Sequence, residues 1–317
     1  MEDIRTGMSF GFLSSPAWLS SGAALGASAT WAASSLLFAR AARTLGAMRV
    51  NLFRLVLATA IVLIAHRILE GRFLSTDMPW SPFLYFAGSG VVGLALGDLF
   101  YFHSIAILGP RKGSLLMATA PIQAGLMGLV FLGEHLSLWA WTGILANVSG
   151  VFLVLADRST LGAWDAETRP AAKRVALLAG LLGGLGQALG LVLAKKGMAL
   201  AGPEAANPLN AHAIRMLAGL VPVVIWTLLH RRPRATDPHQ ARKAMTFLGI
   251  AAFLGPSLGI WLSLVALQAK STGVAAALLS LAPVMVIPMV RVIDKERVGP
   301  LGILGACLAT FGTWLLI

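Results

Sequence analysis

A chain of 317 residues that is 57% hydrophobic and only 12% charged cannot hide its apolar side chains in one soluble core. Apolar runs of about 20 residues recur from end to end, the length that crosses a bilayer as helix. The net charge of +12 is spread through short inter-helix loops, which excludes a nucleic-acid-binding patch, and the single cysteine, Cys307, excludes an internal disulfide or cysteine metal site.

In chain order, the first seventeen residues carry Glu2, Asp3 and Arg5 and lack the basic region and short apolar core of a signal peptide, so the first span is expected to be retained. That span is expected over 19–39, rich in Gly, Ala and Ser, with Trp31 well inside it. The second, over 46–69, holds Arg54 two turns in. A third runs over 82–108 and closes on a Gly109-Pro110-Arg111-Lys112 turn; a fourth, over 113–133, contains Pro121 in mid-span; a fifth covers 136–156. Residues 157–174 are polar and read as a linker. Five further spans follow over 175–194, 208–229, 244–269, 273–293 and 298–317.

The second set copies the first. Gly97, Pro121, Glu134, Gly143 and Gly150 recur as Gly259, Pro283, Glu296, Gly305 and Gly312 at a constant offset of 162, and Arg54 recurs as Arg215 at an offset of 161. Five landmarks of three residue types in one register define a tandem duplication. An odd number of spans per copy forces the second copy through the bilayer in the opposite direction. The expected fold is therefore all-α and integral to the membrane, ten transmembrane helices as two inverted five-helix repeats, the architecture of alternating access.

The runs 97–156 and 266–317, each with a mid-span proline, a glutamate thirteen residues later and a closing G-x6-G span, resemble the two halves of an EamA-type member of the drug/metabolite transporter superfamily. The resemblance covers almost the whole chain. It places one repeat over 1–156 and the other over 175–317. It implies residence in the inner membrane, a central cavity between the halves, export of small metabolites such as amino acids, and cytoplasmic termini. The loop charges point the other way, because apart from Arg5, Arg67, Arg72, Lys195, Lys196 and Lys270 the loop Lys and Arg lie opposite the termini.

Each landmark has its own physics. Pro121 and Pro283 lack a backbone donor and free the carbonyls of Met117 and Leu279, as a packed kink or as a hinge. Glu134 and Glu296 suit the positive end of the helix that follows each. Trp18, Trp80, Trp139, Trp141, Trp164, Trp226 and Trp314 fall near span ends, where indoles anchor. Trp31 and Trp261 lie deeper and either line a cavity or pack between helices. Gln187, Gln123, Gln268 and Asn147 are neutral groups of the kind that glue helices together. Arg54 and Arg215 either snorkel or hold a substrate carboxylate.

Asp98 is the only acid inside a predicted span, roughly 16 Å from the nearer end of its helix. A carboxyl group there must face the interior and find a partner. Helical spacing favours Tyr101 as that partner, and the second copy has Ile260 and Ser263 at the matching places. Asp98 is the candidate for binding a proton or a substrate amine; an Asp fixed by a packing hydrogen bond is the alternative. The partners expected are a small-molecule substrate, lipid and protons. No catalytic motif is present and no cofactor is called for. A lipid-linked flippase of the same fold, or a scaffold or sensor without transport, would share these features, the flippase with a cavity open sideways to lipid.

The orientation is directly measurable. With a reporter fused after Ile317, the cytoplasmic form (fluorescent protein) is expected to be active and the periplasmic form (alkaline phosphatase) silent; the reverse would make the loop arginines the determinant.

Overall fold

The computed structural model describes residues 17–45, 47–75, 77–157, 170–205, 207–229, 237–293 and 299–317. Among them there is helix and no strand. Nine helical segments are long and apolar enough to cross a bilayer, and a shorter apolar helix, Pro300–Trp314, makes the tenth. In the first half the helices are α1 (Ala17–Leu45), α2 (Ala47–Glu70), α3 (Trp80–Ser89), α4 (Asp98–Met117), α5 (Ala120–Leu132) and α6 (Leu138–Ala156). In the second they are α7 (Pro170–Ala205), α8 (Pro208–Leu229), α9 (Pro238–Ala252), α10 (Ile260–Ala269), α11 (Thr272–Leu279), α12 (Ala282–Ile293) and α13 (Pro300–Trp314).

Two π-helical segments, Gly90–Gly97 and Phe253–Gly259, join α3 to α4 and α9 to α10. They occupy the same place in the two copies, and each ends on the repeated glycine, Gly97 or Gly259. Such segments add residues to a turn and re-aim whatever follows; here Asp98 follows in one copy and Ile260 in the other.

The two copies pack as a swapped pair. α4 lies on α7 as α10 lies on α1; α8 lies on the first π segment as α2 lies on the second; α6 pairs with α13 and α2 with α8. Lipid tails are as apolar as leucine, so close backbone contact takes the place of a hydrophobic drive. Glycine supplies it. A Cβ on Gly186 would lie 2.7 Å from Gly97 Cα, and one on Gly305 would lie 2.6 Å from Gly150 O. The G-x6-G spacing of α6 and α13 is thus the seam along which those helices touch. Asn147 pins that seam, donating to Thr313 Oγ1 (3.0 Å) and accepting from Ser280 Oγ (3.0 Å), which bears out its reading as glue.

The fourth and ninth spans are each interrupted by two turn residues, through which backbone hydrogen bonds continue. α4 ends at Met117 and α11 at Leu279, and Pro121 and Pro283 are the second residues of α5 and α12, where a missing N–H costs nothing. Leu279 O, one of the two carbonyls expected to be freed, accepts from Ser28 Oγ at 3.0 Å. Before the first interruption, the chain reverses between Ile105 and Gly113 while its hydrogen bonding stays helical: a Cβ on Gly113 would lie 3.2 Å from Ile105 Cα.

Some details differ from expectation. Helix α7 begins at Pro170, so the last residues of the predicted linker are helical. Trp18, Trp80, Trp139 and Trp314 are exposed at helix ends, but Trp141 is half-buried and packs on Gly125. Trp164 and Glu296 lie outside the described residues.

Gly150→Val places a branched side chain whose Cβ would lie 2.5 Å from Gly305 O, and is expected to cost about 1–3 kcal/mol or more. Thermal denaturation of purified protein should show it as a lowered midpoint, with Gly150→Ala intermediate.

Candidate functional site

Four helices bring one polar cluster together. Arg54, on α2, donates from Nη2 to Asp98 Oδ2 (2.5 Å) and to Asn51 Oδ1 (2.8 Å) one turn earlier on its own helix. Gln187, on α7, donates from Nε2 to Asp98 Oδ1 (3.1 Å) and reaches Gly93 O in the π segment (3.4 Å). Phe38 of α1 and Phe102 of α4 flank the guanidinium, with ring centroids 5.7 and 5.8 Å from Cζ. A cation between aromatic faces gains where water is excluded. The ion-pair side chains are 18% and 12% exposed, so the pair is largely desolvated. Arg54 Nε has no acceptor among the described residues.

The geometry corrects two expectations. Asp98 pairs with Arg54, not with Tyr101, whose hydroxyl instead meets Ser114 Oγ (3.0 Å) across the tight reversal. Helical spacing identified a neighbour on the same face, but a charge in hydrocarbon is held by the group that neutralises it. Nor does Arg54 snorkel. Asn51, three residues before it, was the overlooked signal, since that spacing orients a side chain along a helix. Phe38 and Phe102 gave no sequence signal of their own.

Arg215, the counterpart of Arg54, is 3% exposed on α8 and does not snorkel either. Its Nη2 points toward Gly93, where a Cβ would sit 3.9 Å away, and its Nε and Nη1 have no hydrogen-bond partner among the described residues. Ile260, in the place of Asp98, packs with Trp261 against an apolar cluster containing Leu209 and Met216. Trp31 is half-buried against Gly259, where a Cβ would lie 2.5 Å from its Cδ1. The deep indoles are therefore packed among helices.

Glu134 also departs from expectation. The helix that follows it, α6, is capped by Ser137, whose Oγ accepts from Ala140 N (3.1 Å). Gly133, in the left-handed region at φ 68°, ends α5 and turns the chain. The Glu134 carboxylate then crosses to the other copy, accepting from Thr272 N (2.7 Å) and Thr272 Oγ1 (3.1 Å) at the start of α11, and it pairs with Lys195 of α7 (2.7 Å). The dipole argument was right about the chemistry and wrong about the helix. Lys195 also donates to Lys270 O, closing this end of the molecule. Burial lowers the Lys270 ammonium below its usual range.

Away from the ion pair, a recess of about 430 Å³ lies between α5 and α6, lined by Thr119, Ile122, Val148, Ser149, Phe152 and Leu153. Among the described residues no group of three His, Cys, Asp or Glu is placed to hold a metal.

An all-helical, twice-repeated membrane bundle with a desolvated charge cluster where its halves meet defines a multi-pass membrane transporter. The model of the EamA-like transporter family matches residues 19–156 and 174–317. The chain belongs to that family. The permease-like protein YdzE of Bacillus subtilis (strain 168) is 30% identical over 69 residues, 22% of this chain and 88% of that protein. A solved crystal structure shares the fold at a TM-score of 0.73 and 16% identity, over 93% of this chain and 95% of that one.

The pair can be tested as a pair. Arg54→Gln and Asp98→Asn should each lower the thermal midpoint, since each leaves a buried charge without its partner. The double variant is expected to lose less than the sum by about 1–3 kcal/mol, the coupling a double-mutant cycle reads.

Proposed function

We propose that this protein exports small metabolites, amino acids among them, across the inner membrane by alternating access of its two halves, with Asp98 as the coupling residue. The observation that carries the reading is the Arg54–Asp98 pair, linked by Gln187 to the second repeat. A charge pair in a bilayer is costly, and one tied to the opposite half by a neutral amide suits a group that must exchange partners during the cycle. A substrate amine or a proton competes with Arg54 for the same carboxylate. The turns before Pro121 and Pro283 are the hinges, since a proline supplies no N–H to tie its helix to the preceding turn. The repeat boundaries follow the sequence reading, 1–156 and 175–317.

A flippase of lipid-linked substrates is the second reading, and the recess between α5 and α6, which meets the Thr119 turn, favours it. An efflux screen separates the two, with radiolabelled amino acids in one arm and a labelled lipid-linked sugar in the other.

Asp98→Asn keeps shape and removes charge. Export of the transported amino acid is expected to fall about tenfold or more, the loss of one charge-assisted hydrogen bond, with membrane abundance unchanged. An export rate equal to wild type from pH 5.5 to 8 would refute coupling through Asp98.

A further inference from the structure

Duplication gave this protein two equivalent arginines but only one carboxylate between them. Arg54 and Asp98 neutralise each other, while Arg215 is buried to 3% with the acid's equivalent position occupied by Ile260. The backbone of Gly90 presses on that of Arg215, Gly93 faces its Nη2, and His212, one turn earlier, lies fully buried against the Pro256 and Ser257 backbone without a well-formed hydrogen bond. The described side chains supply no anion to it. Asp98 is engaged on both oxygens, by Arg54 and Gln187.

An arginine holds its charge in any protein environment, so it cannot escape the cost by losing a proton. A guanidinium kept in a membrane interior with two nitrogens unpartnered is therefore poised for an acceptor from outside the chain. We propose that Arg215 is the anion-binding residue of the transport site, and that the substrate carries a carboxylate or phosphate group that docks on its guanidinium. This rests on the transporter reading given above and narrows its substrate class. The Arg54–Asp98 pair and Arg215 together carry one net positive charge, which one anionic group completes.

The test uses the full-length protein in nanodiscs of phosphatidylcholine, whose lipid carries no net charge. Succinate and inorganic phosphate are expected to raise the melting temperature by roughly 2–4 °C at saturation, while succinamide and putrescine leave it unchanged. Arg215→Met is expected to abolish that shift and to melt above wild type without ligand, because it removes an uncompensated buried charge. Should Arg215→Met fail to accumulate, Arg215→Gln carries the same comparison. The proposal is overturned if neutral and cationic probes stabilise the wild type as anions do, or if the anion shift survives either substitution. Nanodiscs containing phosphatidylglycerol identify the source of the anion: a melting temperature already raised, and lost in Arg215→Met, assigns the site to a lipid headgroup. In proteoliposomes, anion stabilisation without movement of any anion refutes the transport reading and leaves the site standing. Export of neutral amino acids without anion stabilisation does the opposite.

Discussion

Helices in lipid gain nothing by hiding apolar surface from one another, so what holds this bundle is how closely backbones can approach. Gly97 against Gly186 and Gly150 against Gly305 bring main chain to main chain, and Asn147 hydrogen-bonds across the second of these seams. Everything else is placed by those contacts. The crossing at Gly97 fixes the first residue after the π segment, which is Asp98, beside Gln187 of the opposite repeat. Without that approach, the carboxylate would have no neutral donor and Arg54 would hold it alone.

Much of this architecture was legible in the sequence because its causes are local or periodic. Span number follows from apolar length, inversion from the odd count, and the tight seams from glycines that recur at one offset. The partners of individual charges were less legible. Tyr101 shares a helical face with Asp98, but Arg54 comes from another helix, and no spacing rule within one helix reports a contact 44 residues away in sequence. Glu134 shows the same limit, since the helix terminus it serves begins at Thr272, on the far side of the duplication. Asn51 was within reach, as a polar residue one turn from an intramembrane arginine.

The duplication set the charges and later divergence divided them. Both copies keep the arginine, the glycine that closes the π segment and the interrupted helix, yet only the first has an acid after that glycine. In the second copy Ile260 and Trp261 fill the corresponding space with apolar surface. Two equivalent positions thus do unlike things: Arg54 is held by Asn51, Asp98 and two aromatic rings, and Arg215 is buried among backbone and small residues.

The Glu134 carboxylate has a consequence for how the chain comes together. It leaves the end of a helix in the first repeat and caps the start of one in the second, where Ser271 makes no side-chain cap of its own. When the first five spans have been made, Glu134 and Gly128 are in place, but the backbone donor they are shaped to receive has yet to be synthesised. The acid meets its ion-pair partner, Lys195, with the sixth span, and the backbone donor at Thr272 only when the ninth span enters the membrane. Assembly of the two halves is therefore a templated event, in which the repeat made first waits with the complementary end for the repeat made second.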